Sequence, residues 1–167
     1  MTSFLRADPA RCIGCRTCEV ACAAAHTDKP LSGGNFLPRL HVVKQAHVSV
    51  PVMCHHCENA PCVAACPTQA LVQGLERVEI YETRCIGCAG CVVACPFGVI
   101  SLAGRGEPQP VSVIKCDLCV GRETGPACVS VCPTAALEKV SRDSVEMTAR
   151  QRREQTALSA LRHREEH

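Results

Sequence analysis

The sequence predicts an α+β fold built from short strands and single helical turns and closed by one C-terminal helix. Two observations carry this. A unit recurs along the chain, a cysteine run followed by a short apolar or alternating stretch. The last stretch, Ser144 to Arg164, lacks Gly and Pro and is rich in Ala, Leu, Gln, Arg and Glu, which favour helix.

The elements follow in chain order. Between the first two runs, His26 to Pro51 reads as a connector, with strands over Leu40 to Val43 and His47 to Val50 after the Ser32-Gly33-Gly34 turn signal. Ala70 to Val72 and Val78 to Tyr81 read as a hairpin across Gly74. Val99 to Leu102 and Val111 to Ile114 bracket a Gly/Pro-rich loop, Ala103 to Pro110. Glu19 to Ala21, Val92 to Ala94 and Val129 to Val131 each suit a single helical turn. In the terminal helix Val145, Met147, Ala157, Leu158, Ala160 and Leu161 make an imperfect apolar set. From Met147 to Arg164, five arginines stand against one glutamate. Such a helix is either a solvated terminus or an arm that docks on an acidic partner.

Sixteen cysteines in 167 residues fall into four groups of four. Cys85, Cys88, Cys91 and Cys95, followed by Pro96, give the run C-x2-C-x2-C-x3-C-P of bacterial [4Fe-4S] ferredoxins. Cys12, Cys15, Cys18 and Cys22 repeat the spacing, with Ala23 in the proline position. In Cys54, Cys57, Cys62 and Cys66 the middle gap widens to four residues, and in Cys116, Cys119, Cys128 and Cys132 to eight, with Pro67 and Pro133 following. Three thiolates on one loop reach three irons of a cube only if the backbone curls around it. Gly14 and Gly87, inside the first gaps, permit that close approach. The proline biases the fourth cysteine away from helix, and in two-cluster ferredoxins that cysteine serves the other cluster of the pair. The reading is four [4Fe-4S] clusters on sixteen cysteine ligands.

Two other uses of cysteine compete. Structural zinc also favours Cys-x2-Cys pairs, but it joins two separated pairs and has no need of a close third cysteine or a terminal Cys-Pro. A disulfide scaffold suits a secreted chain, whereas Met1 to Arg11 contain neither an apolar leader core nor a twin-arginine pair. The expected compartment is the cytoplasm. No stretch nears the 18 or so apolar residues of a membrane span, so any membrane link needs a partner. A net charge of +2, with one Tyr, three Phe and no Trp, argues against nucleic-acid binding. So few aromatics also leave little for a conventional core. Clusters therefore become part of the folding energy, and the cluster-free chain is expected to be largely disordered.

The stretch from Ala7 to Cys22, together with Cys54-His55-His56-Cys57-Glu58-Asn59-Ala60-Pro61-Cys62, Cys85-Ile86-Gly87-Cys88, Lys115-Cys116-Asp117-Leu118-Cys119 and Gly125-Pro126-Ala127-Cys128, carries a resemblance. The chain resembles the small four-cluster subunits of molybdopterin oxidoreductases and hydrogenase complexes, most of all those of formate hydrogenlyase and related formate dehydrogenase systems. The resemblance spans about residues 3 to 140.

It implies two bacterial-ferredoxin-like [4Fe-4S] modules related by pseudo-twofold symmetry, an outer one from residues 1–50 plus 105–140 and an inner one from 51–104; the helix-favouring composition makes 141–167 a helical tail. It further implies a ligand set for each cluster. Cys12, Cys15 and Cys18 would join Cys132, and Cys116, Cys119 and Cys128 would join Cys22. Cys54, Cys57 and Cys62 would join Cys95, and Cys85, Cys88 and Cys91 would join Cys66. The implied role is an electron-transfer subunit, not itself an enzyme, between a molybdenum or tungsten formate dehydrogenase-type subunit and a hydrogenase or other acceptor. A diffusing polyferredoxin and a redox sensor or maturation factor are the alternatives. Lys115 and Arg11, each directly before a ligand, could raise the potential of a nearby cluster or lie on the surface. His55 and His56 sit between two cysteine ligands, and with four cysteines present they are expected beside the metal or at the surface rather than on it.

Overall fold

A computed structural model describes residues 3–104 and 111–165. It is a small α+β fold of short antiparallel pairs, brief helices and one long C-terminal helix. The strands are β1 (Ser3–Ala7), β2 (Leu40–Gln45), β3 (Val48–Met53), β4 (Leu71–Gln73), β5 (Val78–Ile80), β6 (Ser101–Gly104), β7 (Val111–Ile114) and β8 (Leu137–Ser141). The helices are α1 (Thr17–Ala24), α2 (Pro61–Ala64), α3 (Gly90–Ala94), α4 (Ala127–Ser130) and α5 (Arg142–Glu165), with a 3₁₀ turn at Glu82–Arg84.

Three hairpins are local. β2 pairs with β3 from Leu40 opposite Met53 to Gln45 opposite Val48, β4 with β5, and β6 with β7. Each matches an expected strand pair to within a few residues. β3 runs further than its alternation suggests, through Pro51 to Met53. A proline is tolerated there because a two-stranded ribbon has a free edge on each strand. Of the expected loop Ala103 to Pro110, the first two residues belong to β6, and the rest lies outside the described residues.

The fourth pair is not local. β1 lies antiparallel to β8, Ser3 opposite Ser141 and Ala7 opposite Leu137, so the two ends of the cysteine-bearing chain are zipped together. Leu5 and Leu137 turn inward, while Arg6 and Glu138 form an exposed ion pair across the strands. Neither strand was foreseen, since each is five residues long with no turn signal tying it to its partner.

Helix α1 is longer than the single turn expected at Glu19 to Ala21. The proline that follows the fourth cysteine of the other runs is Ala23 here, so nothing halts the helix at Cys22. Elsewhere Cys-Pro ends the turn: the residue after α3 is Cys95, in extended conformation before Pro96. Helix α1 touches α4, and α2 touches α3, which sets the first run beside the fourth and the second beside the third.

Two apolar clusters form the interior. One gathers Leu5, Leu40, Val42, Met53 and Leu137 with Cys18, Cys22, Cys54, Cys116 and Cys128. The other gathers Leu71, Val78, Ile100 and Val113 with Cys62 and Cys91. The segment between the first two runs is thus more than a connector, because its hairpin supplies core. At about 1.5–3 kcal/mol per fully buried aliphatic side chain, so few of them leave much of the stability to whatever the thiols bind.

Helix α5 starts from a local lock: the Ser144 hydroxyl donates to the Ser141 carbonyl at 2.7 Å and accepts from the Ser141 amide at 3.0 Å. Beyond Ala149 its described side chains, through Ser159, are all exposed. Of the expected apolar set, Val145, Met147 and Leu158 are exposed, and the side chains of Ala160 and Leu161 lie outside those described. No helix among the described residues is long and apolar enough to cross a membrane.

Candidate metal centres

Each cysteine run curls in the same way. The residue two places after the first cysteine is left-handed in all four: Gly14 (φ 67°), His56 (φ 47°), Gly87 (φ 71°) and Leu118 (φ 62°). At Gly14 and Gly87 the curl also brings neighbouring side chains up against the backbone, so that a side chain there would displace them. A Cβ on Gly14 would stand 2.8 Å from Ser49 Oγ, and one on Gly87 would stand 3.1 Å from Val111 Cγ2. Three of the four Cys-x-x-x segments that end the runs repeat a second left-handed position, at Gln69, Gly98 and Ala135.

The curls gather thiols that are far apart in sequence. Cys12, Cys15, Cys18 and Cys132 line one small cleft. Cys66, Cys85, Cys88 and Cys91 line another. Cys22, Cys116 and Cys128 share the first apolar cluster, and the thiol of Cys128 is pushed up by burial first and then by Cys116, Cys22 and Cys119 around it. Burial likewise raises Cys54 and Cys62, and both feel the charge of Cys95. All sixteen cysteines are free; Cys15 and Cys88 are exposed, and the others are buried or half-buried.

Backbone amides point at several of these sulfurs. Ala70 N–H donates to Cys66 Sγ and Ala136 N–H to Cys132 Sγ, each at 3.2 Å. His56 N–H reaches Cys54 Sγ at 3.4 Å, and Arg39 N–H reaches Cys22 Sγ at 3.3 Å. At Cys66 and Cys132 burial disfavours the thiolate, but the amides together with Thr68 and Thr134 outweigh it, and both thiols are lowered. The deeper thiols go the other way: burial pushes Cys18 and Cys62 to about 11 and Cys116 to about 12. A soft cation that takes the place of those protons removes the desolvation penalty. Free thiols in close groups, on curled loops with amides aimed at sulfur, fit an iron–sulfur cluster.

One array was missed by sequence reasoning. His26 Nδ1 donates to the Cys22 carbonyl at 2.7 Å and Nε2 to Asp117 Oδ1 at 3.0 Å; Arg39 Nη1 donates to Asp117 Oδ2 at 2.6 Å, and Cys119 N–H to Asp117 Oδ1 at 2.9 Å. The hydrogen bond to Asp117 is the main cause that raises His26 to about 12. Burial opposes ionisation of Asp117, yet His26 and Arg39 hold it well below the usual carboxylate range. Two local signals were legible. Asp117 accepts from the amide two residues on, an Asx turn, and His26 lies four residues after Cys22, one helical turn along. Glu19, also missed, is buried on α1 and accepts the Val42 amide at 2.7 Å, pinning the helix to β2.

Lys115 is no surface residue. It is 0% exposed, and its Nζ donates to the Val78 carbonyl at 2.8 Å and the Cys116 carbonyl at 2.7 Å. Burial lowers its pKa, and the charges of Cys54, Cys116 and Cys62 act against that. Arg11, by contrast, is exposed. The two histidines of the second run separate as well. His55 is exposed and its ring lies 4.1 Å from that of Phe97, centroid to centroid. His56 is 0% exposed, with Nδ1 accepting from the Val78 amide at 3.2 Å.

A small α+β scaffold that gathers free thiols on curled Cys-x-x-Cys loops defines an iron–sulfur protein of the ferredoxin-like class. The chain belongs to the family described as 4Fe-4S dicluster domain, whose model matches residues 45–142, while a 4Fe-4S binding domain matches residues 9–25. It is 43% identical to the electron transport protein HydN of Escherichia coli K12, over 95% of this chain and 99% of that one. Hydrogenase-4 component A of the same organism is 36% identical over 96% of this chain and 91% of its own, and formate hydrogenlyase subunit 2 is 36% identical over 93% and 90%. This is an iron–sulfur electron-transfer protein related to those three.

Proposed function

We propose that the chain carries four [4Fe-4S] clusters and relays single electrons between a catalytic subunit, of the molybdenum or tungsten formate dehydrogenase type, and a hydrogenase or other acceptor. The observation that carries this reading is the pairing of distant thiols. Cys132 stands in one cleft with Cys12, Cys15 and Cys18, and Cys66 in another with Cys85, Cys88 and Cys91. The remaining cysteines divide as Cys22 with Cys116, Cys119 and Cys128, and Cys95 with Cys54, Cys57 and Cys62, in keeping with the charges felt at Cys128 and Cys54. In each set three ligands come from one run and the fourth from the run that faces it. A pseudo-twofold pair of modules is supported by the contacts of α1 with α4 and of α2 with α3, and by the left-handed residue common to all four runs.

When bound, a [4Fe-4S] cluster takes up and gives back one electron with little rearrangement, so no general acid or base is required. The polypeptide's tasks are to hold sulfur, to aim amides at it and to shape the surrounding charge. Ala70, Ala136, His56 and Arg39 supply amides, and Lys115 places a cation among the thiols of Cys54, Cys62 and Cys116. Exposed Cys15 and Cys88, each near an exposed isoleucine, Ile13 and Ile86, mark the surfaces where an electron donor and acceptor could approach.

Anaerobic isolation of the tagged protein from its host, with metal analysis and mass spectrometry on the same eluate, tests the reading. About sixteen iron per chain, together with a molybdopterin-type or hydrogenase subunit, is the expected result. Iron without a stable partner would favour a diffusing polyferredoxin, and zinc in place of iron would overturn the proposal.

A further inference from the structure

Among the described residues, His56 is a fully buried polar side chain that the protein leaves half used. Its Nδ1 accepts from the Val78 amide, so the ring proton resides on Nε2, and Nε2 is buried with no hydrogen-bond partner among the described residues. A buried donor left unsatisfied costs about 1–3 kcal/mol, so such a group normally has a use.

The backbone sharpens the point. His56 occupies the left-handed position of its run, at φ 47°, where two other runs place glycine. A residue with a Cβ costs about 1–2 kcal/mol in that conformation. Position 56 therefore bears both strain and an orphaned donor that a glycine would remove. Its own amide already addresses Cys54 Sγ at 3.4 Å, and the residue stands between the two cysteines Cys54 and Cys57 in the chain.

We propose that His56 Nε2–H is a hydrogen-bond donor to sulfur of the cluster held by Cys54, Cys57, Cys62 and Cys95, and that it sets that cluster's potential above the value the thiolates alone would give. Val78 is the orienting residue, since its amide fixes which ring nitrogen bears the proton. The reduced cluster carries one more negative charge than the oxidised one, so a donor to its sulfur favours reduction. The inference rests on the cluster assignment above.

The test uses the holoprotein isolated anaerobically, with ¹⁵N-labelled histidine, in an EPR-monitored redox titration. His56→Leu retains bulk without a donor, and His56→Gly removes the donor and relieves the backbone, so the second decides if the first does not fold. At unchanged iron content, one midpoint is expected to fall by about 59 mV, a tenfold loss in its reduction equilibrium. The ¹⁵N coupling in the reduced spectrum is expected to vanish with it. A merely structural role would change iron content or melting and leave the midpoints of loaded protein in place. An iron-loaded variant with every midpoint unmoved overturns the inference, whereas wild-type protein without iron overturns the cluster assignment instead.

Discussion

His56 and Lys115 hang from the two backbone groups of one residue: the Val78 amide donates to His56 Nδ1 at 3.2 Å, and the Val78 carbonyl accepts from Lys115 Nζ at 2.8 Å. Val78 opens β5 and is itself 2% exposed. One strand end thus orients a neutral donor and a cation, both fully buried, among cysteines of the second and fourth runs.

Lys115→Met is expected to lower the midpoint of at least one cluster by 59 mV or more, a tenfold change or greater. Removing a cation from a dry site leaves nearby negative charge less compensated. The Val78 and Cys116 carbonyls lose a donor, at about 1–3 kcal/mol each, but the cost of burying an ammonium is also removed, so the folded variant should survive. A redox titration of the purified variant decides it; unmoved midpoints would leave Lys115 as a structural tie only.

Asp117→Asn is expected to destabilise the holoprotein by about 1–3 kcal/mol, because His26 and Arg39 lose the charge of a common, half-buried partner. His26→Gln should then add little in the Asp117→Asn background, since the two report one coupled array. Anaerobic denaturant unfolding of the four proteins in the cycle measures the coupling, and strictly additive effects would contradict it.

Ala23→Pro restores the residue that ends the other three runs, yet it is expected to harm this one. Ala23 is buried inside α1, where proline costs about 3 kcal/mol, and the last turn of the helix delivers His26 to Asp117. A drop in the thermal midpoint of the holoprotein is the expected result; a variant as stable as the wild type would show that α1 need not continue past Cys22.

Anaerobic chelation of iron is expected to abolish the cooperative far-UV melt. Cysteines populate both apolar clusters, and several of those thiols are driven up by burial, so the folded shape is poorly supported without metal. A retained cooperative transition after complete iron loss would contradict this.

Much of the protein was legible along the chain, because cysteine spacing, hairpin turns and helix propensity are short-range properties. The three local hairpins, the backbone-permissive Gly14 and Gly87 and the C-terminal helix were all readable from a few neighbouring residues. Even the length of α1 was implicit in Ala23, though its consequence was not drawn.

Other features needed the fold. The pairing of β1 with β8 joins segments at opposite ends of the chain, and five residues of alternation carry no record of their partner. From the sequence, Lys115 could equally stand beside a cluster or lie on the surface, where lysine usually is. Its burial follows from Val78 and Cys116 arriving on either side of it, which only packing decides. The His26, Asp117 and Arg39 array likewise draws on three separate stretches. Sequence determined which residues could bind metal, since ligand chemistry resides in the side chain and its immediate spacing. Tertiary structure decided which charges and donors surround them, since burial and long-range contact are properties of the folded chain as a whole.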